Sequence, residues 1–178
     1  METSASTDTA PTDTAATVVR RMYDAYNRKD IDAVLACWDP AGTEFLPLVG
    51  EMRARDQLGP HLRGFYAAFP DATTSVTQLL ETPDGRVAVQ VQLTGTFTGS
   101  HFQGLRANGR AWSARMAEFF TVEDGLIVRM DAYMDSMDLA QQLDLLPPNG
   151  SRVEAVMRRV FNAKVATQQL LHRRGRAR

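Results

Sequence analysis

Residues 111–135 read AWSARMAEFFTVEDGLIVRMDAYMD. Two apolar-rich runs flank the sequence Glu123-Asp124-Gly125, and each run is long enough to form a β-strand. Asp-Gly between such runs is typical of a tight hairpin turn, because glycine adopts the required positive φ without steric cost. The stretch therefore predicts an antiparallel hairpin of two long strands.

One carboxylate, Glu118, lies on an apolar face of the first predicted strand. Side chains alternate along a strand, so Glu118 shares its face with Trp112, Ala114, Met116 and Phe120. A carboxylate in apolar surroundings is costly to ionise unless it has a partner. We therefore expect Glu118 to be hydrogen-bonded or raised in pKa, and we expect the function to depend on what it faces.

The register of the hairpin determines the neighbours of Glu118. In the first register, residues 123–125 form a three-residue loop with a bulge at Gly125. The second strand then places three apolar residues on the face of Glu118, namely Met130, Ala132 and Met134. The Glu-Asp-Gly sequence favours this register.

In the second register, the loop consists of Asp124-Gly125 alone. Glu118 then neighbours Asp131 and Tyr133 and forms an acidic cluster with the aspartate. A shift of one residue exchanges the two faces of a strand, so the two registers exclude each other.

The rest of the chain predicts helices first and strands afterwards. Apolar residues recur at helical spacing in three N-terminal segments, around Tyr23, Val34 and Leu62, and a short strand at residues 43–49 precedes the third. The period then changes to two, which predicts strands at residues 73–82, 86–98, 111–122 and 126–134. A further helix is predicted from about Asp135 to Leu145. This order is typical of an α+β fold with helices on one face of a curved antiparallel or mixed sheet.

Composition divides the 178 residues into three segments. Residues 2–14 carry no apolar side chain larger than proline, which predicts a disordered tail over residues 1–14. Residues 15–148 carry the pattern of one α+β domain. Residues 149–178 are predicted to form a basic amphipathic helix. Its basic character follows from the net charge of +7 over residues 151–178, whereas the first 150 residues carry −8.

Several classes of protein are excluded by these features. No apolar run approaches the roughly 20 residues of a membrane span, and the N-terminus lacks the basic start and apolar centre of a secretory signal. The single cysteine, Cys37, forms no internal disulfide, and no ligand spacing builds a metal site. No aromatic residue is interleaved with the C-terminal arginines, as nucleic-acid stacking would require. We expect a cytoplasmic protein without metal, cofactor, nucleic-acid or membrane partner.

Short phrases along the chain, in their order and spacing, resemble the SnoaL-like polyketide cyclases of the nuclear-transport-factor-like superfamily. They are AFPD at 68–71, LTGTFTG at 93–99, NGR at 108–110, VEDGLIV at 122–128, and MDS at 134–136 leading into LAQQL at 139–143. The resemblance covers about Thr17 to Pro147, and its spacing also favours the bulged hairpin loop. It implies a cone-shaped barrel: a strongly bent sheet around a deep pocket, capped by three N-terminal helices and often dimeric through the sheet. The predicted C-terminal helix is an addition to this fold.

The chain departs from the family pattern at the positions that usually hold the catalytic residues. SnoaL-like cyclases usually have His-Trp-Asp on the last strand, with the aspartate as acid or base, and this chain has Met130-Asp131-Ala132. The related epoxide-hydrolase-like arrangement has an Arg and an Asp two residues apart on an earlier strand, where Gln90 and Gln92 stand. The fold alone therefore does not settle the function.

The candidate site combines Glu118, as general acid or base, with Gln90 and Gln92 as hydrogen-bond donors to a developing oxyanion. Other residues are expected to line the pocket or its entrance and to bind the substrate: Trp38, Phe45, Phe65, Phe69, His101, Trp112, Met116, Met130, Ala132 and Met134. A structural alternative is that Glu118 accepts a hydrogen bond from Tyr23 or Tyr26 and performs no chemistry.

If the glutamines face the pocket, an apolar row faces outward from the same strand, formed by Val87, Val89, Val91 and Leu93. An exposed row of this kind predicts a homodimer through the outer face of the sheet.

The leading hypothesis is a cofactor-independent enzyme of polyketide-like biosynthesis with an apolar, carbonyl-bearing small-molecule substrate. It closes a ring or shifts a proton, or it accelerates a pericyclic ring closure by shape alone. The alternative is a non-catalytic module that binds a small molecule or a dimeric partner. The replacement of the usual residues at Met130 and Ala132 favours that alternative.

Overall fold

The computed structural model describes residues 14–176, with side chains for all of these except residue 166 and residues 170–176. The chain forms two compact units, one ending at Leu143 and the other beginning at Asp144. Apart from Thr14, the predicted N-terminal tail lies outside the described residues, and so do the side chains of the arginines at 173–178.

Among the described residues, three helices precede the last four strands of the first unit. They are α1 (Ala15–Arg28), α2 (Ile31–Leu35) and α3 (Gly59–Ala68), the last preceded by a π-helical turn at Ala54–Leu58. The side chain of Thr14 caps α1 by accepting the N–H of Thr17, and that of Asp30 caps α2 by accepting the N–H of Ala33. These caps satisfy backbone donors that have no partner inside the helix. The three predicted helices are therefore present.

Six strands form one curved, unclosed sheet. They are β1 (Trp38–Leu46), β2 (Gly50–Arg53), β3 (Thr73–Glu81), β4 (Arg86–Thr96), β5 (Ala111–Glu123) and β6 (Leu126–Met134). Their order in space is β2-β1-β6-β5-β4-β3, and every neighbouring pair is antiparallel except β1 and β6, which are parallel. Register shifts within β1–β6, β3–β4 and β5–β6 increase the local bending. The fold is of the predicted α+β class.

The first strand is longer than the sequence predicts. Residues 39–42 were expected to end the preceding element, but they belong to β1 and lie at its register shift between Trp38 and Thr43. Pro40 is accommodated there because an irregular part of a strand does not need every backbone donor.

The central hairpin differs in detail from both predicted registers. Glu123 pairs with Leu126, so the loop is the two-residue Asp124-Gly125 turn, with both residues at positive φ. Thr121 pairs with Arg129, whereas Val122 pairs with Ile127, so β6 contains one extra residue between these two pairs. The bulge therefore lies within β6 and not at Gly125, where it was predicted. This bulge places Ala132 opposite Glu118, which is the face predicted for the first register. The second register has the right loop but the wrong face, because Asp131 and Tyr133 pair with the neighbours of Glu118 and point to the other face.

Helix α1 packs against one face of the sheet, which we call the inner face, along β3, β4, β5 and β6. Val87, Val89 and Val91 of β4 are buried in the core that α1 covers, together with Met22. The predicted outward valine row is therefore wrong. Burying these β-branched side chains removes apolar surface from water, and the alternate residues of β4 then face outward.

A short helix α4 (Ser136–Gln142) follows β6, and Asp135 caps it. In the second unit, the hydroxyl of Ser151 caps helix α5 (Arg152–Arg176) by accepting the N–H of Glu154, and the Glu154 carboxylate accepts the N–H of Gly150. Its apolar stripe is exposed by half or more at each of Val153, Val156, Met157, Val160 and Phe161. No helix in the described part of the chain is long and apolar enough to span a membrane.

Candidate functional site

Glu118 lies near the middle of β5 with its side chain on the inner face of the sheet. It is only 7% exposed, between Met116 and Phe120 on its own strand and opposite Ala132 on β6. The hydroxyl of Tyr23, on α1, donates a hydrogen bond to its Oε2 atom. Glu118 thus has the helix-hydroxyl partner that the structural alternative proposed.

A second buried carboxyl group, Glu44 on β1, was missed by the sequence analysis. It is 3% exposed, pairs with Met130 of the parallel neighbour β6, and belongs to the same inner face. A partial signal for it exists in the sequence: Glu44 and Leu46 share one face of the strand predicted at residues 43–49, whereas Phe45 lies on the other face. The hydrophobicity of Phe45 obscured that signal.

The two carboxyl groups have raised pKa values. Burial raises the pKa of Glu118 to about 7, although the hydrogen bond from Tyr23 acts in the opposite direction. Burial, and then the charge of Glu118, raise the pKa of Glu44 to about 8. Groups with pKa values near 7 exchange protons readily at neutral pH, as general acid–base catalysis requires.

The tyrosines beside them stay neutral, and the Tyr23 hydroxyl donates a hydrogen bond to Glu118. Burial raises the pKa of the Tyr23 hydroxyl, and the charge of Glu118 raises it further. Burial and the charges of Glu44 and Glu118 likewise raise the pKa of Tyr26. Tyr66 donates to the backbone carbonyl of Tyr26 at 3.0 Å, and burial raises its pKa to about 12.

Among the described side chains, three buried polar atoms have no hydrogen-bond partner: Nε1 of Trp38, Oε2 of Glu44 and Nε1 of Trp112. Most buried polar groups in proteins are hydrogen-bonded, and leaving one unpaired costs about 1–3 kcal/mol. Unpartnered donors and acceptors in an apolar interior are what a bound polar molecule would satisfy.

Aromatic residues form a second cluster around Trp112, at the other end of the inner face of β5. Phe69 lies at its centre, with ring centroids 4.9 Å from Phe97, 5.3 Å from Trp112 and 5.1 Å from Phe65. Phe102, from the loop after β4, packs on the same rings at 5.6–6.0 Å. Trp112 and Glu118 are six residues apart on one strand, or roughly 20 Å along it.

The structure brings most of the predicted site residues into these two clusters. Trp38, Met116, Met130 and Ala132 are buried in the core that holds Glu118, and Met134 packs against it. Phe65, Phe69 and Trp112 belong to the aromatic cluster.

Three predictions about the site are wrong. Gln90 is exposed on the outer face, and Gln92 on the same face donates to the Ser113 hydroxyl, so neither meets Glu118. Phe45 is 37% exposed because its parity on β1 is opposite to that of Glu44. His101 is exposed, and its place at the pocket entrance stays a prediction, whereas its neighbour Phe102 packs on the aromatic cluster.

The alternative site at Asp131 and Tyr133 is also absent. Asp131 accepts two hydrogen bonds from Arg129 on the outer face, and Tyr133 is 57% exposed there. Among the described residues, no group of three or more His, Cys, Asp or Glu side chains is arranged to hold a metal ion.

Comparison with known structures places this geometry in a fold family. AclR, a proposed hydroxylase from Streptomyces galilaeus, is 24% identical with a TM-score of 0.66, covering 89% of this chain and 95% of AclR. IdmH, a proposed polyketide cyclase from Streptomyces antibioticus, is 24% identical with a TM-score of 0.60, over 73% of this chain and 98% of IdmH. A proposed SnoaL-like polyketide cyclase from Jannaschia sp. CCS1 is 20% identical with a TM-score of 0.67, over 80% of this chain and all of that one.

These likenesses establish the fold alone, and no curated protein matches the chain. The sequence model of the SnoaL-like domain matches residues 19–130, which is more than half of the chain and includes Glu44, Glu118 and the Met130 position. The chain therefore belongs to the SnoaL-like domain family.

Proposed function

We propose that this protein is an enzyme of polyketide-like natural-product biosynthesis that closes a ring or shifts a proton in an apolar, carbonyl-bearing substrate. The observation that carries the proposal is Glu118, a buried carboxyl group with a pKa of about 7 and a fixed hydrogen bond from Tyr23. A general acid or base works best when its pKa is near the working pH. The names of the structural neighbours, mostly polyketide cyclases, support the class of substrate.

Glu118 takes the place of the acid–base group that the family resemblance puts on the last strand. Ala132, where SnoaL-like cyclases usually carry an aspartate, is directly opposite Glu118. In this proposal the carboxyl group has moved across the hairpin from β6 to β5, and the small side chain of Ala132 leaves room for it. The replacement at Ala132 is then compatible with catalysis.

In the proposed reaction, ionised Glu118 removes a proton from the carbon next to a substrate carbonyl. The C–H electron pair forms a C=C bond, and the carbonyl electrons move to oxygen as an enolate. In ring closure, the enolate carbon attacks a second carbonyl, the first C=O bond re-forms, and the new alkoxide oxygen takes the proton from Glu118. In a proton shift, a carbon further along a conjugated enolate takes that proton instead. Proton transfer of this kind needs no redox change, and Tyr23 orients the carboxyl group throughout.

The apolar surroundings favour a mostly apolar substrate. Met116, Met130 and Trp38 lie in the core with Glu118, and the aromatic residues around Trp112 extend the same inner face. We propose that the curved sheet and its helices form the cone-shaped cavity of the family, which binds a flat ring system. The single, buried Cys37 accords with a reducing, cytoplasmic location.

The test is the exchange of α-protons for deuterium in 2-tetralone, a fused-ring ketone with acidic C–H groups, followed by NMR in D₂O. The protein should accelerate exchange above the buffer rate. Glu118→Gln, which preserves shape but cannot take up the proton, should lower the rate by roughly 10²–10⁴-fold. The matched control is Glu123→Gln, an exposed glutamate on the same strand, which should behave as the unchanged protein.

A non-catalytic module remains the second candidate, because Met130 and Ala132 replace the usual catalytic pair. It predicts that 2-tetralone binds with no exchange above the buffer rate. A purely shape-driven ring closure likewise predicts no exchange above the buffer rate, so either outcome contradicts the proposed acid–base function.

A further inference from the structure

Glu44 and Glu118 reach the same interior from different strands. Glu44 pairs with Met130, which pairs with Phe120, and Phe120 is two residues from Glu118 on β5. With strands about 4.8 Å apart and a rise of about 3.3 Å per residue, the Cα atoms of the two glutamates are roughly 12 Å apart. Both side chains are buried on the inner face, and the charge of Glu118 acts on the Glu44 carboxyl group.

Glu44 also has a free hydrogen-bonding atom. Its Oε2 atom is buried and has no partner, whereas Oε2 of Glu118 is held by Tyr23. A buried carboxyl oxygen that no protein group satisfies, beside a second carboxyl group, is suited to contact a ligand oxygen.

The charges facing Glu44 favour one negative charge on the pair. The titratable groups around it are Glu118 from β5 and the neutral hydroxyls of Tyr23 and Tyr26 from α1. Ionising both carboxyl groups in an apolar interior is costly, as for other carboxyl pairs that share a proton. The hydrogen bond from Tyr23 stabilises the ionised form of Glu118, so the proton stays on Glu44.

We propose that Glu44, as a neutral carboxylic acid, donates a hydrogen bond to the substrate carbonyl oxygen while ionised Glu118 removes the proton from the adjacent carbon. The substrate class is therefore a ketone with an acidic α C–H group. This inference rests on the proposed function and assigns the donor that Gln90 and Gln92 were wrongly expected to supply.

The step balances without an oxidant or reductant. The α C–H bond breaks and its proton binds Glu118, and the negative charge that develops on the carbonyl oxygen is stabilised by the O–H of Glu44. When the carbon skeleton accepts a proton again, Glu118 returns it and the C=O bond re-forms. Glu44 keeps its own proton throughout.

Two substitutions of Glu44 separate a neutral donor from an ionised base. Glu44→Leu removes the donor and suits the apolar surroundings, so it should lower the rate of 2-tetralone exchange by roughly 10²-fold. The side chain in Glu44→Gln always carries an N–H donor. Its exchange rate should therefore be at least tenfold higher than that of Glu44→Leu. If the glutamine variant is as slow as the leucine variant, Glu44 acts as a base and the proposal is overturned.

Circular dichroism checks that each variant folds. If Glu44→Leu does not fold, the exchange rates of Glu44→Gln and Glu118→Gln still test the role of Glu44. The proposal requires the Glu118 variant to be the slower of the two by at least tenfold. The reverse order contradicts it.

A binding measurement gives an independent readout with 2-naphthol, whose ionised form resembles a fused-ring enolate. Affinity for the naphtholate should fall roughly ten- to hundred-fold in Glu44→Leu, because a hydrogen bond to a charged oxygen is lost. Glu118→Gln should bind it at least as tightly as the unchanged protein, since a competing negative charge is removed.

Equal naphtholate affinity in Glu44→Leu and the unchanged protein would refute the role of Glu44. Failure of the unchanged protein to exchange 2-tetralone would instead refute the proposed function. The two failures are therefore distinguishable.

Discussion

Glu118 and Glu44 lie in surroundings that stabilise the neutral carboxylic acid over the carboxylate. Their folded-state pKa values, about 7 and about 8, are above the ordinary value of 4.5. Below about pH 4.5 both groups are protonated in the folded and unfolded chains, so stability is highest there with respect to these groups. As the pH rises toward 7 and 8, the unfolded chain ionises first, and stability is lost.

This linkage gives a prediction for the free energy of unfolding between pH 5 and 8, measured by urea titration. It should fall across this range, by about 3 kcal/mol for Glu118 alone. Glu118→Gln and Glu44→Gln should each reduce the slope, because an amide does not titrate. Glu123→Gln should leave the slope unchanged, and a slope in either buried variant equal to that of the control would contradict the assignment.

Sequence reasoning at this scale found Glu118 but missed Glu44. An isolated carboxylate on a long apolar strand is conspicuous, whereas Glu44 lies next to Phe45, and hydrophobicity favours burying the phenylalanine. Gln90 and Gln92 show the opposite error. Alternation on β4 puts the glutamines and the valines on opposite faces, and hydrophobicity favours burying the valines, whereas the family resemblance puts the glutamines in the pocket.

Between elements, the hydrogen bond from Tyr23 connects α1 to β5. It lowers the pKa of Glu118 against the effect of burial, because a donor stabilises the carboxylate. Tyr23→Phe should therefore raise the pKa of Glu118 and move the pH dependence of 2-tetralone exchange to higher pH. Tyr133→Phe, on the outer face, is the control and should leave the profile in place. An unshifted profile in Tyr23→Phe would show that the bond does not tune Glu118.

The turn at Asp124-Gly125 determines which residues of β5 and β6 pair first in the hairpin. Gly125 has φ of +77°, which is strained for any residue with a Cβ atom. Gly125→Ala should cost about 1 kcal/mol in the free energy of unfolding. Thr121→Ala, on the same hairpin but at ordinary φ, provides the comparison. A cost no larger than that of the comparison variant would mean that the turn is not strained.

The hairpin illustrates what the sequence can and cannot predict about an element. Asp-Gly identified the turn, and the face shared by Glu118 and Ala132 is as the first register required. The position of the bulge was not predictable, because Ile127, Val128 and Arg129 carry no glycine or other local mark of an extra residue. The strand at residues 38–42 was missed for a related reason, since Pro40 normally ends a strand.

For the whole molecule, we propose a homodimer through the outer face of the sheet, but not through the valine row. The outer face carries Phe119 and Tyr133, which are half exposed or more, with ring centroids 5.9 Å apart. Paired exposed aromatics on a sheet are typical of an interface.

Light scattering at micromolar concentration should therefore give twice the chain mass, and Phe119→Lys should give the mass of one chain. Met157→Lys, in the exposed stripe of α5, should leave the dimer intact. Dissociation by Met157→Lys and not by Phe119→Lys would assign the interface to α5 instead.

The central claim is that two buried carboxyl groups titrate near neutral pH as a coupled pair. The direct measurement is a carbon-13 NMR titration of the full chain with labelled glutamate carboxyl carbons, with Glu44→Gln and Glu118→Gln used to assign the signals. We predict two carboxyl signals with apparent pKa values of about 7 and about 8. Replacing Glu44 should leave Glu118 titrating alone near 7. Titration of every glutamate between about pH 4 and 5, as for exposed carboxyl groups, would contradict the account.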